Sequence, residues 1–221
     1  AAVAVGFALS VVHPSAGNIG GGGFMVIRLA NGEVTTIDFR EKAPMLSDRD
    51  MFLDDNKEVI PGKSKYSALS SGVPGTVYGL GYAHNKYGSM SWEKLLYPSI
   101  QLAKYGFKLD YHNVQLLNSD RYSSFLSRDT ETEKNFTKDD NISFNLNEVF
   151  VQSDLAHTLL RIAKYGYMEF YNGITADYIV DCMQRVGGII SHDDLRHYQA
   201  IEREPIKFTY RGYNVYSMPL P

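Results

Sequence analysis

Residues 20–41 read GGGGFMVIRLANGEVTTIDFRE, and the fold class turns on them. Phe24 to Leu29 and Val34 to Phe39 are rich in strand-forming residues, and Asn31-Gly32 between them is a strong tight-turn signal. The stretch predicts a β-hairpin over residues 24–40. Strand alternation puts Val34, Thr36, Asp38 and Arg40 on one face and Ile37 and Phe39 on the other. With Ile37 and Phe39 against a core layer, Arg40 projects from the opposite face at the end of the sheet. A guanidinium so placed can hold a carboxylate through two parallel hydrogen bonds. It can also pair with Asp38 or Glu41, and spacing alone favours that plainer use.

The glycines ahead of the hairpin, Gly20 to Gly23, invite comparison with a phosphate loop. Nucleotide loops run from strand to glycines to helix, so that a helix N-terminus meets the phosphate. Here the order is helix, glycines, strand, and no Gly-Lys-Ser/Thr follows. Close backbone approach and a sharp turn explain the glycines better. Upstream, residues 1–12 are apolar on all sides and predict a buried helix, ended by His13-Pro14. That segment is too short to span a bilayer and lacks the basic lead of a signal peptide. With no initiating Met, the sequence reads as starting inside a domain.

Downstream the pattern turns helical. Pro74-Gly75 opens a helix to about Lys86. Ser91 caps a second that reaches Tyr105, with Pro98 expected to kink or split it. Ser153 caps a third, with Leu155, Leu159 and Ile162 along one face, and Thr175 begins a fourth that ends at Gly187-Gly188. Ser191 with Asp194 resembles a capping box. Three helices stop on the same tripeptide: Lys86-Tyr87-Gly88, Lys104-Tyr105-Gly106 and Lys164-Tyr165-Gly166. Lysine suits the negative end of a helix dipole, and glycine accepts a left-handed C′ position. Residues 128–147 are polar without period and predict a surface loop, in which Asn135-Phe136-Thr137 and Asn141-Ile142-Ser143 match glycosylation acceptors by pattern only. Ile206 to Met218 reads as two strands around Arg211-Gly212.

Net charge is −3, with no strong bias of sign, and nothing in that balance argues for nucleic acid or for an anionic membrane surface, so neither is expected as a partner. The single cysteine, Cys182, rules out an internal disulfide and reads as core packing. None of the six histidines forms the i, i+4 pair of a helical zinc site, and His192 and His197 beside Asp193 and Asp194 read as a solvated helix start. No metal and no cofactor is expected. There is no Gly-x-Ser-x-Gly elbow, and Ser70-Ser71-Gly72 reads as a loop.

Several blocks together resemble the large subunit of γ-glutamyltransferases. They are Ala1 to Leu9 with His13-Pro14 and Gly17 to Phe24, then Ile37-Asp38-Phe39-Arg40-Glu41-Lys42-Ala43-Pro44, and Met51-Phe52-Leu53-Asp54. Gly72-Val73-Pro74-Gly75-Thr76-Val77, Asp193-Asp194-Leu195, Tyr210-Arg211-Gly212-Tyr213 and Ser217-Met218-Pro219 follow in the family's order. The resemblance implies an N-terminal-nucleophile hydrolase, with an α+β fold of the four-layer α-β-β-α sandwich type and a large helical region. Residues 1–72 would supply part of the sandwich, 73–200 the helical region and 201–221 a return to the sheet, all within one incomplete domain.

The family's precursor cleaves itself, and the new N-terminal threonine of the small subunit is the nucleophile. The substrates implied are glutathione and other γ-glutamyl compounds, with water, amino acids or peptides as acceptors. The chain's macromolecular partner would be the small subunit of the same precursor, and its location periplasmic or secreted. Arg40 matches the family's Phe-Arg-Glu block, which implies that it clamps the α-carboxylate of the γ-glutamyl group. That tips the balance away from a structural ion pair. No catalytic residue is expected in this chain, which alone should be inactive. Two alternatives stay open: a related cephalosporin or glutaryl acylase, and a non-catalytic helical interaction module, the latter favoured if no threonine follows at a cleavage site.

Overall fold

The computed structural model describes residues 1–138 and 142–221. From the N-terminus the chain forms helix α1 (Ala2–Val12), strands β1 (Phe24–Arg28) and β2 (Val34–Asp38), a short helix α2 (Lys63–Tyr66), and helices α3 (Thr76–Tyr87) and α4 (Trp92–Tyr105). Strand β3 (Phe107–Lys108), helices α5 (Tyr111–Leu117), α6 (Asp120–Leu126) and α7 (Thr130–Phe136) and strand β4 (Val149–Phe150) come next. Helices α8 (Ser153–Tyr165), α9 (Glu169–Asn172), α10 (Ile174–Val186) and α11 (His192–Arg196) follow, then strands β5 (Ile201–Arg203), β6 (Ile206–Tyr210) and β7 (Tyr213–Ser217). The strands make three antiparallel sheets, ordered β1-β2-β5, β3-β4 and β6-β7. The architecture mixes helix and strand.

The β1–β2 hairpin forms as the sequence predicts, in the register Phe24↔Asp38 to Arg28↔Val34. Its connection is a three-residue loop rather than a two-residue one. Leu29 N–H bonds Glu33 O at 2.8 Å, Gly32 N–H bonds Leu29 O, and Gly32 sits at φ +91°. A type I turn followed by a left-handed residue suits that loop, and only glycine takes the last position without strain.

Ile37 and Phe39 are buried against α3 beside Ala83, as alternation predicts. The opposite face is only partly open. Thr36 and Asp38 are also buried, because β5 returns from the far end of the sequence to pair with β2. Phe24 and Val26, their neighbours on β1, remain exposed.

The helices pack around one apolar cluster that includes Phe7 and Val11 of α1, Val77 and Leu80 of α3, Leu96 and Ile100 of α4, and Leu159 and Ile162 of α8. The Phe7 ring meets Trp92 edge-on at 5.5 Å. A second cluster under α5 to α7 gathers Leu109, Leu117, Phe144 and Phe150. Carbonyls at the end of α1 find side-chain donors: Gln152 bonds Val11 O and Asn113 bonds Val12 O.

Several expectations need correction. Helix α1 is buried on one side only. It packs against α3 and α4, and leaves Val5 and Leu9 exposed. Helix α4 runs unbroken through Pro98. The lost bond would join Pro98 to Lys94 O, both residues lie on the exposed side where water can serve the carbonyl, and the buried face holds the helix together. The cap of α8 is Gln152, with Ser153 its first helical residue.

Part of the expected loop 128–147 is helix α7. Asp129 caps it by accepting from Thr132 N–H, and Asn135 lies within it, while Asn141 falls outside the described residues. The three Lys-Tyr-Gly segments do end helices, but not through left-handed caps. Gly88 is extended, and Gly106 and Gly166 combine φ near +84° and +83° with ψ of 167° and 169°, a region open to glycine alone. In each segment the lysine lies over the ring of the following tyrosine. Cys182 is half-buried rather than in the core, at the edge of an apolar groove between α8 and α10. The capping box of Ser191 and Asp194 and the Arg211-Gly212 turn, both residues at positive φ, form as expected.

Helix α3 reaches the hairpin because of its glycines. A Cβ on Gly79 would stand 2.1 Å from the Phe39 ring, and one on Gly75 would stand 2.0 Å from both Phe39 O and the Tyr198 hydroxyl. Gly79→Ala is therefore expected to lower stability by about 2–3 kcal/mol through forced overpacking. A shift in the urea unfolding midpoint measures it, and an unchanged midpoint would contradict this packing.

Candidate functional site

Arg40 lies two residues beyond Asp38, the last residue of β2, and its peptide is tied on every side. Phe39 exchanges both backbone hydrogen bonds with Gly23, at 3.0 and 3.2 Å. Arg40 N–H donates to Asp38 Oδ1 at 3.0 Å, and the Tyr198 hydroxyl donates to Arg40 O at 2.8 Å. Two residues on, Lys42 and Val73 exchange both backbone bonds. Lys42 Nζ bonds Gln199 O and lies over the Tyr198 ring at 5.1 Å. The side chain of Arg40 itself is exposed.

The glycine run serves this segment. A Cβ on Gly22 would meet Phe39 O at 2.6 Å and Glu41 N at 2.7 Å, so the two backbones can lie this close only at glycine. Gly21 O accepts from Gly75 N–H and Thr76 N–H, so a backbone carbonyl already fills the N-terminus of α3. That agrees with close approach as the reason for the glycines.

The ion pair expected from spacing is not made. Asp38 Oδ2 accepts from Arg203 Nε at 2.9 Å, and Asp38 Oδ1 is taken by the Arg40 backbone. Among the described residues, no carboxylate pairs with the Arg40 guanidinium. His192 is engaged elsewhere, with Asp177, and His197 with Asp193 O. No group of three metal-ligating side chains occurs among the described residues.

Sequence reasoning missed the tyrosines behind the site. Tyr198 stacks on Tyr171 at 5.7 Å, and Tyr78 meets Tyr167, Tyr171 and Tyr198 edge-on. Tyr171 donates to Pro74 O and accepts from Tyr78 N–H. The cluster thus fixes both the start of α3 and the carbonyl of Arg40. Burial, reinforced by the charges of Asp38 and Glu41, pushes the Tyr198 hydroxyl well above its ordinary value. Burial does the same for Tyr171. Both stay protonated and able to donate. No local pattern around Tyr198 signals this role, because its partner lies 158 residues away.

A family model for gamma-glutamyltranspeptidase matches residues 1–221. The chain belongs to the gamma-glutamyltranspeptidase family. It is 47% identical to the glutathione hydrolase proenzyme of Escherichia coli (strain K12), over all of this chain and 38% of that protein. The crystal structure of Helicobacter pylori gamma-glutamyltranspeptidase superposes with a TM-score of 0.95 at 43% identity, covering 99% of this chain and 62% of that one. The structure from Pseudomonas nitroreducens, complexed with L-DON, superposes at 0.91 with 41% identity, covering 100% and 63%. The chain therefore spans well under half the length of the curated relative. No helix among its described residues is long and apolar enough to cross a membrane.

Two measurements test the tether in this family member. Tyr198→Phe keeps the ring stack and leaves Arg40 O without its donor, at an expected cost of about 1–2 kcal/mol in unfolding free energy. The raised tyrosines also set a pH dependence. Their folded values exceed the ordinary 10.0, so the stability they lend is complete below pH 10 and declines as pH rises beyond it. The decline should be shallower in Tyr198→Phe, and equal slopes would contradict the assignment.

Proposed function

We propose that this chain is the substrate-clamping part of a γ-glutamyltransferase that cleaves the γ-glutamyl bond of glutathione, with Arg40 holding the α-carboxylate. The observation that carries this is an exposed guanidinium with no carboxylate partner among the described residues, mounted on a peptide whose own polar atoms are all bonded. Arginine presents a planar fork that matches a carboxylate, and a fixed backbone lowers the entropy lost when the two meet. On the family resemblance, the nucleophilic threonine and oxyanion donors come from the small subunit of the same precursor. The group then passes to water, an amino acid or a peptide through a γ-glutamyl-enzyme.

The four-layer sandwich belongs to the same proposal. Residues 1–72 and 201–221 would enter it, and 73–200 would flank it. Its further layers would cover Val5 and Leu9 of α1, the outer sheet face at Phe24 and Val26, and the β6–β7 hairpin, which exposes Phe208, Tyr210 and Tyr213. A periplasmic or secreted location follows from the resemblance. A glutaryl amide differs from a γ-glutamyl amide only in lacking the α-amino group, so Arg40 serves either substrate equally. A comparison of the two on the full-length protein separates the hydrolase from an acylase.

The isolated chain should show no turnover of a γ-glutamyl anilide, and activity above background would overturn the division of labour. In the full-length protein, Arg40→Ala should weaken substrate capture by about 2–5 kcal/mol, the cost of removing one partner of a desolvated charge pair. The loss should appear in KM while self-cleavage persists. Arg40→Lys should also lose affinity, because an ammonium cannot make the bidentate contact. Failure of self-cleavage in Arg40→Ala would instead mark the residue as structural.

A further inference from the structure

We infer that Arg203 keeps Arg40 available to substrate by occupying Asp38, the acid that would otherwise neutralise it. The inference rests on the role given to Arg40 above. Asp38, the last residue of β2, is two residues away along the chain, its side chain only 8% exposed. Its oxygens are divided, Oδ1 to the Arg40 backbone N–H and Oδ2 to Arg203 Nε. Arg203 comes from β5, the strand that hydrogen-bonds to the free edge of β2, and its own carbonyl accepts from Thr36 Oγ1 at 2.7 Å. The pairing Thr36↔Arg203 and Asp38↔Ile201 fixes the guanidinium over Asp38.

Without Arg203, the buried Asp38 carboxylate would have one unpaired oxygen, and Arg40, two residues along the chain, is a cation with no carboxylate partner among the described residues. A carboxylate tethered two residues away acts at an effective concentration on the order of millimolar. An Arg40 that spends nine-tenths of its time on Asp38 would bind substrate about tenfold more weakly, since apparent affinity falls with the competent fraction. Arg203 is thus a positioning residue, acting through Asp38 without touching substrate.

The two halves of this ion pair should then respond unequally to mutation, which a merely structural pair would not do. In the full-length protein, Arg203→Met should raise KM for a γ-glutamyl anilide about tenfold, with a much smaller change in kcat. Asp38→Asn removes the competing charge and keeps an oxygen for the Arg40 N–H, so KM should stay close to that of the unmodified protein. Asp38→Asn combined with Arg203→Met should restore KM, and Arg203→Lys, which keeps a cation on Asp38, should hold it. Equal effects of Asp38→Asn and Arg203→Met, or a double variant no better than Arg203→Met, would overturn the inference. If Arg203→Met does not fold, the Asp38→Asn and Arg203→Lys values decide, because the inference requires both to be mild. Arg40→Ala measured alongside separates the two levels. An unchanged KM there removes the carboxylate clamp and this inference together. A raised KM with equal effects at positions 38 and 203 removes the inference alone.

Discussion

Four successive polar atoms, the N–H and C=O of Phe39 and of Arg40, are each hydrogen-bonded, and the placement of the guanidinium depends on that. The partners come from three separate parts of the fold: the glycine run, the Asp38 side chain and the tyrosine cluster. A side chain at the end of a strand ordinarily inherits the fraying of the strand. Here the strand is finished by side chains and by an adjacent backbone, so the exposed residue has a rigid base.

The close packing behind the site leaves little freedom to adjust. Gly22, Gly75 and Gly79 are all within a missing Cβ of Phe39, its carbonyl or the Glu41 nitrogen. Tyr198 contributes its hydroxyl to Arg40 O and its ring to Tyr171, so one residue joins the α9–α11 region to the hairpin. Burial keeps that hydroxyl protonated, which secures the donor that the Arg40 carbonyl needs. Glycine sites and tyrosine cluster thus share one function in the fold: they bring a helix and a strand close enough for an exposed arginine to be held from behind.

Legibility in the sequence followed the range of the interaction. The hairpin, the positions though not the cap conformation of the Lys-Tyr-Gly helix ends, and the Ser191 capping box are decided by residues within a few positions, and these were legible. Arg40 stood out as a candidate, but the fate of its neighbour Asp38 depends on Arg203, 165 residues away, and no local pattern carries that. Tyr198 was invisible for the same reason. The apolar run of α1 was read as wholly buried, since hydrophobicity reports a demand for cover, not which side receives it within this chain. Pro98 misled because its missing donor faces water, where the loss is small. The segment after Asp129 misled because a capped, charged helix of seven residues has no apolar face to announce it.

An exposed guanidinium is a weak binder by itself. An ion pair in open water contributes at most about 1 kcal/mol, while a desolvated one measured by truncation is worth about 2–5 kcal/mol. Arg40 lies on the exposed side of this chain, so its rigidity alone cannot give the larger value. What the rigid base supplies is position, held in advance and, among the described residues, free of a competing carboxylate. If Arg40 is the proposed carboxylate clamp, the larger energy requires a second wall that excludes water when the carboxylate arrives, and this chain leaves open the apolar surface at Phe24 and Val26 on the same sheet. Clamp and wall on separate pieces of protein would make tight binding conditional on their assembly. A chain carrying only the clamp would then hold a γ-glutamyl group no better than any surface arginine does.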